Sequence, residues 1–406
     1  MPTSTLHIHP RRLETADAVR YEYDLVYSGR TRVDTVFYET ARETAPPPLE
    51  NFDGILCAIV LHAMEARRDI RLHGPATTDI IRNLNEFQLA WSRWRPEVYQ
   101  PVQIVADSVA SGRRGDGRAL SAFSGGADST FTLLRNNPHD AVPRYGVDTV
   151  VLVHGFDVAL ANADALQELI DRTEPVRALA GVRLSIVRTN SKDLALQKWA
   201  DSCGAQLAAC LHLFSAEFSH ALIGGSDAYD ELWLPWGTNP VTDHLLSGGA
   251  MAIVHDGAAF SRTDKLALLA GVPAALRSLK VCWEGRQQGR NCGVCEKCVR
   301  TQLNLMAVGV TDAPCFDRPL DPRDIRTLPI QTDLVLAELK SIVEYGERHH
   351  LEQDWFRALR TRVGQGVSRV GKKQTLRSRV RHSLAKAHLL DAARLVRSKL
   401  TILAGG

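Results

Sequence analysis

The sequence predicts an α/β protein built on a parallel sheet, preceded by an α+β segment and followed by a basic helical region. Three observations carry this reading. Strand-like and helix-like runs alternate from residue 119 to residue 224, as in a parallel sheet covered on both faces. An apolar strand breaks into a helix at Ser124-Gly125-Gly126-Ala127-Asp128-Ser129. Four cysteines then gather at Cys282, Cys292, Cys295 and Cys298.

The N-terminal unit, residues 1–110, is expected to be α+β. Residues 20–40 alternate apolar and polar and break at Ser28-Gly29, which reads as a β-hairpin. Residues 52–64 form an apolar helical stretch, 69–72 a short strand, and 77–94 a helix rich in Leu, Phe and Trp. None of it carries recognisable chemistry. The glycine- and arginine-rich residues 107–118 read as a linker.

The second unit, residues 118–320, is expected to hold strands at 119–123, 148–154, 182–188 and 220–224. Helices are expected at 129–136, 159–180, 191–202 and 205–217. Ligands in such sheets sit beyond the carboxyl ends of the strands. Those ends read Ser124-Gly125-Gly126, then His154-Gly155-Phe156-Asp157, then Arg188-Thr189-Asn190, then Gly224-Gly225-Ser226-Asp227. Glycines let a backbone approach an anion, and the unpaired N–H groups of a first helical turn point at it. Ser124 and Ser129 add hydroxyl donors, and Asp128 can cap the helix or hold magnesium. Together the four strand ends favour a nucleotide, with adenine and ribose near His154, Gly155, Phe156, Asp157 and Asn190, and with Gly225 and Ser226 alongside. A second glycine run, Gly366 to Gly371-Lys372, imitates a Walker loop, but Lys373 stands where its hydroxyl residue belongs.

Ser-Gly-Gly-x-Asp-Ser resembles the pyrophosphate (PP) loop of the ATP pyrophosphatase superfamily. That group includes asparagine and GMP synthetases, tRNA thiolases and 7-cyano-7-deazaguanine synthase. The resemblance implies an adenine nucleotide α-hydrolase-like (HUP) fold. It also implies an Mg2+-assisted reaction that splits ATP between its α and β phosphates and leaves AMP on a substrate oxygen.

The cysteines are spaced Cys-x9-Cys-x2-Cys-x2-Cys, and four thiolates suffice for a closed, structural zinc site. Lys280, Arg286, Arg290, Lys297 and Arg300 surround them and favour ionised thiols. An iron–sulfur cluster is the competing occupant. The bacterial ferredoxin run needs a further cysteine four positions on, where Gln302 stands, so Cys282 would supply the fourth sulfur.

A PP-loop followed by this cysteine pattern resembles 7-cyano-7-deazaguanine synthase and its relatives over residues 118–306, as does Ser261-Arg262-Thr263-Asp264-Lys265. The resemblance implies ATP-dependent adenylation of a carboxylate, followed by amide or nitrile formation. Where that family carries a Tyr-Pro-Asp-Cys-Arg-type segment, this chain has residues 229–244, which points to a different acceptor. Within that segment Trp233 and Trp236 are candidates to stack on a planar substrate, and Asp243 or His244 to act as general base. Asp128 would position the loop or the magnesium. A tRNA-modifying enzyme and a non-catalytic ATP-binding sensor are the competing functions. Thiolation would need a reactive cysteine, and Cys203 and Cys210 read as packing residues.

The net charge of +3 hides an asymmetry. From Arg357 to Gly406 there are 13 basic residues and one acid, against 36 basic and 45 acidic before it. Helices are expected over 333–345, 351–363 and 373–403, within a C-terminal region 331–406. Its basic stretch suits nucleic acid, an acidic protein, an anionic surface or the acidic body itself. The expected substrate is a small-molecule carboxylate or a protein terminus, and a homodimer stays open. No signal peptide or membrane span is visible, so a cytoplasmic protein is expected.

Overall fold

A computed structural model describes residues 4–110, 112, 117–139, 144–282 and 289–368. The expected helix 373–403, the Gly371-Lys372 pair, Arg286 and most of the basic stretch lie outside them.

Strands β1 (Thr5–Glu14), β2 (Ala18–Tyr27) and β3 (Val33–Ala41) form an antiparallel meander. The hairpin predicted over 20–40 is its second half. β2 places Val19, Tyr21, Tyr23, Leu25 and Tyr27 on the core side and Arg20, Glu22 and Asp24 on the other, the period-2 pattern of a half-buried strand. Helix α1 (Asp53–Ala66) packs in the same core. β4 (Asp69–Thr77) then pairs parallel with β1. Helix α2 (Thr78–Trp94) starts where Thr77 Oγ1 accepts from the Ile80 N–H. β5 (Ile104–Ala110) pairs with β4 and occupies the front of the stretch expected to be a linker.

The second half alternates as predicted. β6 (Ala119–Ala122), α3 (Ala127–Arg135), β7 (Val147–His154), α4 (Ala163–Ala180), β8 (Arg183–Thr189), α5 (Trp199–His212), β9 (His220–Gly224) and β10 (Ala252–Asp256) follow in turn. β6 is buried at all four positions, as a central strand covered on both faces must be. One expectation fails. Residues 191–202 do not form a helix of their own; turns run to Lys198, and α5 spans the interval between the two helices expected there. The reason is local. The Leu196 carbonyl contacts His62 Nδ1 at 2.9 Å, and Gln197 donates to the Ala58 carbonyl, so the segment is stitched to α1.

The strand order is β10-β9-β6-β7-β8-β3-β2-β1-β4-β5, a single ten-stranded sheet in which six of nine pairings are parallel. The seam between the halves is the antiparallel pairing of Tyr38 with Thr189 and Glu39 with Arg188. Within the parallel half the chain winds outward from β6 through β7 to β8, then returns to the other side of β6 with β9 and β10. The order therefore reverses between β6 and β9.

Beyond β10 lie α6 (Arg262–Ala270), α7 (Pro273–Ser278), α8 (Glu296–Ala307), α9 (Pro322–Arg326), α10 (Asp333–Arg348) and α11 (Asp354–Gly364). The helices expected at 333–345 and 351–363 are α10 and α11. They close a separate apolar cluster on α8 through Val299, Leu303, Leu339, Ile342 and Leu359. Buried Arg300 bridges Glu296 at 2.6 Å and also pairs with Glu338, tying α8 to α10. No helix among the described residues is long and apolar enough to cross a membrane.

Candidate functional site

The strand-order reversal between β6 and β9 opens a crevice at their carboxyl ends, the position where α/β sheets bind ligands. A cavity of about 200 Å³ occupies it. One side is polar, with Ser124, Gly126, Asp128 and Ser129 from the β6–α3 turn. The other side is apolar, with Val151, Phe156 and Trp199. Arg262, Lys280 and Lys297 complete the lining.

The turn is built around Gly125, whose φ of +72° suits a residue without a side chain. A Cβ there would also lie 2.7 Å from Thr173 Cγ2. The Ser124 and Ser129 hydroxyls lie 3.4 Å apart, and the Gly126 N–H donates to Ser124 Oγ at 3.3 Å. The N-cap of α3 is Gly126, with no side chain capping it, so Asp128 is not the cap. The first turn of α3 is thus free of a side-chain cap and faces the cavity, which suits an anion.

Asp128 instead ties down cations. Its carboxylate meets Arg262 Nη1 at 2.9 Å and Lys265 Nζ at 3.5 Å. Burial would push this carboxyl up, but Arg262, Lys265 and Lys297 outweigh burial and hold it below the ordinary aspartate value. Burial pushes Lys265, Lys280 and Lys297 down from the usual ammonium value. Lys265 is completely buried and also donates to the Gly225 carbonyl at 2.6 Å.

Other residues singled out from the sequence are placed differently. His154 Nε2 contacts the Ala159 carbonyl at 2.9 Å. Gly155 lies against the Thr189 carbonyl, where a Cβ would come within 1.9 Å. Asn190 accepts from the Phe37 N–H and donates to the Thr35 carbonyl, both at 2.9 Å, so it fastens the seam between β3 and β8. Gly225 and Ser226 present carbonyls to Lys265. Phe156 and Asp157 do line the cavity.

No residue of segment 230–244 lines this cavity. Asp243 is buried and accepts from Thr238 Oγ1 at 2.6 Å and from the Asn239 N–H at 3.1 Å. Its Oδ2 also lies 2.8 Å from His255 Nδ1. These contacts make it a brace for a folded loop, and His244 is exposed. Neither lines the cavity, nor do Trp233 and Trp236; the tryptophan that does is Trp199. Phe156 packs edge-on against it at 4.7 Å, and Lys192 Nζ lies 4.5 Å over its ring.

The four cysteines converge as predicted. All four sulfurs lie within 4.8 Å of one another, with Cys282–Cys295 at 3.8 Å and Cys292–Cys298 at 3.9 Å. Four sulfurs each about 2.3 Å from one tetrahedral ion would stand about 3.8 Å apart. The set therefore fits a single metal ion. A polynuclear cluster would place several metals and sulfides between the thiolates and spread them wider. Gln302, at the ferredoxin position, donates to the Gly293 carbonyl at 3.1 Å and supports the knuckle.

No family model, curated protein or solved structure matches this chain.

The cysteine cluster and the crevice are mechanically joined. The Lys280 N–H donates to the Gly125 carbonyl at 2.8 Å, two residues before Cys282. Lys297 lies in the first turn of α8, between Cys295 and Cys298. The sequence pointed to both lysines as partners of the thiols, whereas the structure puts them on the cavity wall. Asn291, which carried no signal in the sequence, holds the two cysteine segments together. It accepts from the Val281 and Cys282 N–H groups and donates to the Leu279 and Cys315 carbonyls. Asn291→Ala leaves those buried groups without partners and is expected to cost about 3 kcal/mol in urea denaturation.

Proposed function

We propose that this crevice binds ATP and splits it between the α and β phosphates, activating a carboxylate as an acyl-adenylate. ATP and the carboxylate give acyl-adenylate and pyrophosphate, and an amine or ammonia then displaces AMP. The observation that carries this reading is the uncapped serine-glycine turn at the strand-order reversal, facing Arg262, Lys280 and Lys297. Donors and cations fixed there would stabilise charge developing on the departing pyrophosphate. Val151, Phe156 and Trp199 would hold the base. Asp128 would act through Arg262 and Lys265, keeping the guanidinium aimed at the phosphates.

Two metals belong to this reading. Magnesium bound with ATP would polarise the phosphates, and Asp157, which lines the cavity, would be its ligand in this reading, since Asp128 is already paired with Arg262 and Lys265. Zinc is the ion proposed for the four cysteines, where it would brace Lys280 and Lys297 without entering the chemistry. Thiolation is the weaker alternative, because burial pushes the Cys203 thiol up to about 12, far from a reactive thiolate.

ATP–pyrophosphate exchange against a panel of carboxylates, peptides and total tRNA tests the proposal, with carboxydeazaguanine included. Exchange stimulated by a carboxylate is expected, and Lys297→Met should lower it about a hundredfold or more. ATP binding with no exchange for any candidate would instead favour a sensor. Absence of ATP binding would overturn the reading.

A further inference from the structure

The geometry points to a second metal site, on the open face of the N-terminal sheet, built from His7, His9 and His73 for a late first-row divalent ion. His7 and His9 alternate with buried Leu6 and Ile8 on β1, so both imidazoles stand on the face away from the core. The parallel register pairs Ile8 with Leu72 on β4 and so brings His73 beside His9. One ring nitrogen of each lies within 4.8 Å of the others. The His9 and His73 rings stack with centroids 4.2 Å apart.

Two details favour a metal over a chance cluster. His7 Nδ1 and His73 Nε2 are 2.9 Å apart, a hydrogen bond that already holds two ring nitrogens at the spacing an ion could bridge once it displaced the shared proton. Two nitrogens bound at right angles, each about 2.1 Å from one ion, stand about 3.0 Å apart. The second detail is the far nitrogen of His73. Its Nδ1 faces Asp107 Oδ2 on β5 at 3.4 Å, while Arg71 holds the other oxygen of that carboxylate at 2.6 Å. A carboxylate behind an imidazole, once drawn into a hydrogen bond, would fix its tautomer and leave the opposite nitrogen free to ligate. On the other flank Asp24, opposite His9 in the register with β2, accepts from Thr35 and pairs with Arg11. Imidazole donors suit zinc, nickel and copper better than magnesium or calcium. Three histidines leave coordination positions open for water or a further ligand.

The test uses tag-free, full-length protein whose cysteine site has first been loaded with zinc. Titration with Ni2+ by calorimetry is expected to show one site of micromolar affinity or better. His9→Gln and His73→Gln should each weaken it at least tenfold, and Asp107→Asn about 10- to 100-fold. His139→Gln, remote from the cluster in the sequence and the sheet, should leave it intact. His9 is exposed, so its substitution leaves the core untouched. Ni2+ should also raise the thermal midpoint of the wild type and not of His73→Gln, since the ion bridges two strands. Absence of Ni2+ binding, or binding that survives both histidine substitutions, would overturn the assignment.

Discussion

Cys298→Ser is expected to abolish metal retention, lower the melting temperature and depress ATP–pyrophosphate exchange about a hundredfold. The thermodynamic part follows from the donor set. Structural zinc in small cysteine sites binds with an apparent ~10–16 kcal/mol, and most of that free energy orders the ligand segments. Here those segments are 279–282 and the 291–298 knuckle, which no strand pairing joins. Asn291 ties them with three hydrogen bonds, to Leu279, Val281 and Cys282. The kinetic part follows from Lys280 and Lys297, which line the crevice from positions next to the cysteines. A displacement of about 1 Å at such groups can cost about a hundredfold. Elemental analysis, thermal unfolding and exchange measured on the same preparation check all three. Full exchange activity without metal would separate the cluster from the crevice.

Asp128→Ala is expected to destabilise the protein by about 3–5 kcal/mol, because it strands Lys265, buried with no exposed surface, beside a largely buried Arg262. Asp128→Asn keeps the shape and loses the charge, so it should fall between wild type and alanine. The pH dependence has a definite sign. The carboxyl is held below its ordinary value of 3.8, so its contribution is complete above that value. It fades as the pH falls through the lower folded value, where protonation releases the cations. Urea denaturation from neutral pH to below the ordinary aspartate range should show wild type losing its advantage over Asp128→Asn only at the acid end. An advantage that stayed constant across that range would show that the ion pairs add nothing.

How much was legible in the sequence depends on the range of the interaction that decides each feature. The serine-glycine turn, the four central strands and the cysteine quartet are set by neighbours in the chain, and each folds where the pattern put it. β1, β5 and β10 left weak signals. β1 carries His-Pro-Arg-Arg at its centre, half of its ten residues are exposed, and its apolar alternation rests on Leu6 and Ile8. The turn at 191–198 reads as helix, yet contacts from His62 and Gln197 across the α1 interface override that propensity.

The site shows the same division. Lys280, Lys297 and Arg262 were visible as charges near the cysteines or in the α6 motif. Their direction into the crevice depends on how α6 and α8 pack, which spacing along the chain does not encode. Trp199 and Asn291 carry meaning only once distant segments meet. Asp243 stands out within the 230–244 segment, whereas its partner in the fold is His255, twelve residues on, a pairing that spacing does not announce. The His-Ile-His run near the N-terminus became informative when β4 brought a third imidazole to it.

The short seam between β3 and β8 has a consequence for solubility. Two five-stranded sheets would expose four unpaired strand edges, each a template for adding a strand from another molecule. Joining them through Tyr38–Thr189 and Glu39–Arg188 leaves two among the described residues, β5 and β10. Asn190 and the Glu39–Arg188 ion pair fasten that seam, so loosening them would expose two further edges and is expected to favour self-association.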